Sequence, residues 1–109
     1  MTVLDVIERA WLMVGDVQEP RRNPLEQVKK HLVDGIRDLL SRRPHIRLTE
    51  LGTLNDVVDD DDGDLEGIPD EYREGLAHYI AYRIFELDEL DENNRIAAQS
   101  HQTQYIQRT

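Results

Sequence analysis

Two sets of histidines and carboxylates recur at helical spacing: His31, Asp34 and Asp38, and Glu71, Glu74 and His78. Residues three and four apart share a helix face, so each set puts one imidazole beside two carboxylates, the raw material of a metal site or an acid–base pair. The Glu-x-x-His spacing that di-iron bundles repeat on two helices is absent, so both sets read as polar helix faces. The run Asp59-Asp60-Asp61-Asp62-Gly63-Asp64 invites a calcium loop. Aligning Gly63 with the sixth position of an EF-hand loop puts Val58 first and Pro69 twelfth, where carboxylates are required. A solvated loop is the expectation. Lys29 and Lys30 are the only lysines, and neither follows a strand-borne carboxylate pair as a nuclease would need. His45 is expected in a loop and His101 in helix packing. Walker, GxGxxG, GxSxG and HExxH patterns are all missing. The expectation is a protein that is not an enzyme, with no catalytic residue, cofactor or metal.

Those residues must be positioned by a chain of 109 residues and 12.7 kDa, a size that suits one domain spanning 1–109. Cysteine is absent, which excludes disulfides, thiolate metal sites and a cysteine nucleophile and is compatible with a reducing cytoplasm. No apolar run approaches the roughly 20 residues a membrane span needs, and the first residues carry no secretory signal pattern. The net charge of −10 disfavours wrapping nucleic acid, which rewards lysine and arginine. The charge is also polarised: residues 21–47 hold eight cationic against three anionic side chains, and residues 55–74 hold ten carboxylates against one arginine.

Hydrophobic spacing is helical wherever it is regular. Leu4, Ile7, Trp11 and Val14 recur at +3, +4 and +3, with Thr2 as N-cap, Asp5 three residues on and Gly15 as the stop. Asn23 before Pro24 predicts a second helix with Glu26 closing a capping box, Leu25, Val28, Leu32, Ile36 and Leu39 on one face, and an end before Pro44. Between Ile46 and Val58 the pattern changes, with Ile46 and Leu48 alternating and Gly52 breaking the run, so a long acidic loop or short hairpin is expected there. Pro69 opens a third helix whose apolar stripe is Tyr72, Leu76, Tyr79, Ile80, Ile84 and Leu87. After a connector at residues 88–93, a fourth helix carries Asn94, Ala98, His101 and Tyr105 on one face, and Gln99, Gln102, Gln104 and Gln107 turn toward solvent or a partner. The expected fold is all-α, a small four-helix bundle, with Trp11, Leu32, Ile36, Leu76, Ile80 and Ile84 in one core.

Several single residues raise questions of their own. Gly35 sits mid-helix at about 1 kcal/mol relative to alanine, which implies either close approach of a neighbour or simple tolerance. Tyr79 and Tyr82 cannot both point inward, so one caps the core and the other is available to a partner. Candidate interface residues are Tyr82, the basic Arg21, Arg22, Arg42, Arg43 and Arg47, and the acidic Asp59, Asp60, Asp61, Asp62 and Asp64. The charge split suggests that the acidic segment meets a basic surface of a neighbouring molecule, or folds back over the second helix.

The order ERAWLMVGDV, a helix ending in SRRPHIRL, a hydrophobic-acidic loop, IPDEYREGLAHYIAYRIFELDELD, and a last helix with Ala98-x-x-His101-x-x-x-Tyr105 resembles the small head–tail adaptor (connector, or head-completion) proteins of tailed bacteriophages. Arg43-Pro44, Ile68-Pro69 with Tyr72, and Tyr82-Arg83 with Asp88 carry the likeness. The aromatic residue such proteins often place before the second helix is replaced by Arg22-Asn23-Pro24. The resemblance implies a structural protein of the virion neck, present in host cytoplasm during assembly. Such proteins form a homo-oligomeric ring of about a dozen copies beneath the portal protein. The ring extends the DNA channel without sequence-specific binding, contacts a downstream neck or tail-completion protein, and has no membrane partner. A small acidic helical binding or regulatory module, such as a DNA-mimicking inhibitor, is the alternative reading. A helical enzyme built on the histidine–carboxylate faces comes third.

Overall fold

The computed structural model describes residues 1–46, 54–60, 63–87 and 91–109, without the side chains of Asn55 and Asp56. Five α-helices run through them: α1 (Val3–Met13), α2 (Leu25–Arg42), α3 (Leu54–Asp59), α4 (Arg73–Glu86) and α5 (Glu92–Arg108). A 3-10 turn, Asp70–Tyr72, leads into α4. The architecture is all-α, and α3 is an addition to the four helices expected. Leu54, Val57 and Val58 are helical and pack on the core, which corrects the hairpin reading for that stretch. Leu48 and Gly52 lie outside the described residues. Among the described residues the sheet-like pairing is an isolated bridge between Thr2 and Asp64.

Local chemistry explains each boundary. Thr2 and Asp5 form the reciprocal capping box of α1, the threonine hydroxyl accepting from the Asp5 amide at 3.2 Å and the Asp5 carboxylate from the Thr2 amide at 2.8 Å. At the other end Gly15 takes a positive φ of 73°, with Gly15 N–H donating to Leu12 O and Asp16 N–H to Trp11 O, a Schellman closure. Helix α2 begins one residue later than expected. Pro24 is its N-cap, and neither Asn23 nor Glu26 caps it. Asn23 is committed elsewhere: its backbone and side-chain N–H groups donate to the Asp16 carboxylate at 2.8 and 3.1 Å, and Arg22 N–H adds a third bond at 3.0 Å. Burial alone would raise the pKa of Asp16, which is 2 % exposed, but these donors hold it below the ordinary carboxylate range.

Helix α4 is the hub. It packs most extensively on α5, then on α1 and α2, while α1 and α5 hardly meet. Paired contacts set the directions: Gly35 of α2 meets Tyr79, Asp34 meets Arg83, and on α5 His101 meets His78 while Thr109 meets Gly75. Both α2 and α5 therefore run antiparallel to α4. Trp11, Leu32, Ile36, Leu76 and Ile80 join one core with Val3, Ile7, Val28 and Leu65, and Ile84 packs on its edge. Leu87 falls beyond the end of α4 and is exposed, so the expected stripe is one residue too long. None of the described helices is long and apolar enough to cross a membrane.

Candidate functional site

The outer surface of α4 and α5 is built on three tyrosines. Gly35 makes room for the Tyr79 ring, because a Cβ there would stand 2.8 Å from Tyr79 Cδ1. Tyr79 then meets Tyr105 edge-on at 5.0 Å and Tyr82 edge-on at 5.8 Å. Each hydroxyl is engaged. Arg83 Nη1 donates to Tyr79 Oη at 3.0 Å, Tyr105 donates to Asp38 Oδ2 at 2.5 Å, and Tyr82 donates to Glu86. That bond to Glu86, with partial burial, pushes the Tyr82 pKa up to about 12, and burial with the Asp38 contact raises Tyr105 as well. Both stay neutral hydrogen-bond donors at neutral pH.

Two grooves open beside Tyr82. One of about 360 Å³ is lined by Asp38, Arg42, Tyr79, Tyr82, Gln102, Tyr105 and Ile106. The other, of about 260 Å³, continues along Tyr82, Glu86, Arg95, Ala98, Gln99 and Gln102. Their outer wall is α5, in which residues 96–107 contain no Asp, Glu, Lys or Arg, within a chain that is 33 % charged. Ile96 and Ile106 project from that wall, exposed. The surface is open and charge-depleted, made of apolar, amide and small side chains.

The histidine–carboxylate sets are dispersed among packing partners. His31 is buried between α2 and α4 with Nε2 unpartnered among the described residues, and burial first, then the Arg83 charge, lowers its pKa. Asp34 pairs with Arg83 at 3.4 Å, and Glu74 with Arg9 at 2.6 Å. His78 Nδ1 lies 2.8 Å from His101 Nδ1, and His101 stacks on Phe85 at 5.7 Å. Burial is the first cause lowering both imidazoles, so the contact is between neutral rings, one donating and one accepting. Among the described residues no three His, Asp or Glu side chains converge as metal ligands.

The structure separates the basic candidates into two groups. Arg21 and Arg22 belong to the α1–α2 connection, where Arg21 lies 4.5 Å over the Trp11 ring and donates to Asp16 O. Arg42 and Arg43 sit at the far end of α2, about 25 Å away at 1.5 Å per helical residue. There Arg42 covers the Tyr105 ring at 5.3 Å and donates to Thr109 Oγ1 at 2.9 Å. Arg47, Asp61 and Asp62 lie outside the described residues. The acidic segment is anchored within the chain at both described ends. Asp59 O accepts from Lys29 Nζ of α2 at 2.8 Å, Asp60 O accepts from Gly63 N–H, and Asp64 bridges to Thr2 and lies 3.7 Å from the Met1 amino group. Tyr82 lies where the two grooves meet. Sequence reasoning marked Gln99, Gln102, Gln104 and Gln107 as facing solvent or a partner; what it missed is that the whole wall of α5 over residues 96–107 is uncharged. No protein-family model, curated protein or solved structure matches the chain.

Proposed function

We propose that the chain is a structural subunit of the head–tail adaptor type, which assembles as a ring beneath the portal, joins capsid to tail and lines a channel through which DNA slides. The observation that carries this reading is the exposed, charge-free wall of α5 with the tyrosine grooves behind it, a surface suited to meeting protein. The order of helices that resembles such adaptors supports it, as does an acidic balance that gives DNA phosphates few cations to bind. Sedimentation velocity of the purified protein, alone and mixed with a phage portal protein, tests the proposal. Closed oligomers, or a portal-bound ring, are expected. A species that stays monomeric under both conditions and instead captures a basic DNA-binding protein would replace this reading with that of an acidic DNA-mimicking module.

A further inference from the structure

Helix α5 is fastened to the molecule differently from the other helices. Among the described residues the main hydrophobic core draws on α1 to α4 and their connections and takes no side chain from α5. Within α5 itself, Ala98 and Tyr105 are the buried residues. The helix approaches α4 closely where Gly75 faces Thr109, since a Cβ on Gly75 would stand 2.7 Å from Thr109 Cγ2. What closes the seam is polar and aromatic. Tyr105 meets Tyr79 edge-on and donates to Asp38, Arg42 donates to Thr109 Oγ1, and His101 lies between the Phe85 ring, on which it stacks, and His78. An element held by few buried apolar side chains belongs to the low-stability end of a fold and opens first.

The imidazole pair is the member of this seam whose charge changes between pH 5 and 8. At 2.8 Å one Nδ1 carries the hydrogen and the other the lone pair. One added proton preserves the contact, because an imidazolium N–H can still donate to a neutral ring. A second proton leaves two N–H groups and two positive charges face to face with nothing between them to accept, so the rings must part. The surroundings do not relieve this. Arg9 of α1 and Arg108 of α5 are cations beside His78, and the carboxylate near it, Glu74 of α4, is already held by Arg9 at 2.6 Å. Phe85 offers His101 an uncharged face. We propose that the His78–His101 contact is an acid-sensitive latch, and that protonation of both rings releases α5 from α4 while α1 to α4 keep their common core. The latch does not depend on the assembly reading. It would act on the same surface, because the groove lined by Asp38, Tyr79, Tyr82, Gln102 and Tyr105 exists only while α5 is docked.

Peptide-resolved amide exchange of the full chain at pH 7.5 and 5.5, corrected for the intrinsic pH dependence of exchange, tests the latch. Relative to α1 and α2, the amides of α5 should exchange about tenfold faster at the lower pH, while α1 and α2 stay protected. His78→Gln and His101→Gln each remove the facing pair of charges, and each should cut that change to under about twofold. His31→Gln, in the α2–α4 contact, should leave it as in wild type. Protection lost from α5 in step with α1 and α2 would show that acid acts on the whole fold, and would overturn the latch. A wild-type ratio that does not move with pH, or a full change that survives in both glutamine variants, would overturn it as well. Wild type alone supplies the first two of these outcomes, so the test stands even where a glutamine variant folds poorly.

Discussion

Replacing Gly35 by alanine should destabilise the protein, although in an ordinary helix interior the same change adds about 1 kcal/mol of stability. The new Cβ would stand 2.8 Å from Cδ1 of Tyr79, closer than Cβ contacts allow, and 3.1 Å from Cγ, so the ring would have to shift. To give way, Tyr79 would have to move toward the adjoining groove and leave its edge-on contacts with Tyr82 and Tyr105 and its 3.0 Å bond from Arg83. Overpacking of this kind costs about 1–3 kcal/mol, which outweighs the helix-propensity gain and leaves a net loss of up to about 2 kcal/mol. A two-state domain of this size should lose about 4–8 °C in melting temperature per kcal/mol. The decisive measurement is a double-mutant cycle by urea denaturation, with Gly35→Ala in the wild-type and Tyr79→Ala backgrounds. Destabilisation in the first and stabilisation in the second are expected. A Gly35→Ala protein that melts higher than wild type would show that Tyr79 does not occupy the space α2 leaves for it.

Truncation of Ile80 to alanine, at a fully buried site, should cost about 2–5 kcal/mol in chemical denaturation, and an unchanged midpoint would remove it from the core. Asp16→Ala strands three donors from Arg22 and Asn23 and should cost about 2–3 kcal/mol, read from the same assay. Acidification should weaken the fold through His31, His78 and His101, whose folded pKa values lie below the unfolded value. Their contribution is complete above about pH 6.5, and it is lost as pH falls from there toward the folded values. Melting temperatures at pH 7.5 and 5.5 should therefore differ less for His101→Gln than for wild type, and equal differences would sink the assignment.

What could be read from sequence was what is local. The capping box of Thr2 and Asp5 spans three residues, the Gly15 stop needs only its own turn, and the apolar repeat in α2 survives one mistaken residue at its start. Asn23 was misread because two uses compete for it: capping α2, or satisfying a buried carboxylate seven residues back, which no periodicity reveals. Helix α3 is six residues long, too short for a 3.6-residue period to declare itself. Gly35 stands out in the sequence as an anomaly, yet its cause is a ring 44 positions away. The basic residues sum to a polarity along the chain that the fold divides between two ends of α2. Tyr82 was visible as one of two tyrosines three apart. The wall of α5 was less so, because a search for apolar stripes passes over a surface defined by missing charge.

The pairing of residues 1–3 with residues 63–65, and of α1 with α4, has a consequence for how the molecule comes into being. Helices α4 and α5 are neighbours in sequence and can meet as soon as both exist, whereas α1, beyond its contacts with the α1–α2 connection and α2, packs chiefly on α4, more than sixty positions downstream. During synthesis at about 5–20 residues per second, the apolar side of α1, with Val3, Ile7 and Trp11, emerges several seconds before Leu76 and Ile80 can cover it. Non-local closure of this kind is the slow part of folding. The first helix made is thus the last to be buried, and in pulsed amide exchange during refolding its backbone should gain protection after that of the α4–α5 hairpin.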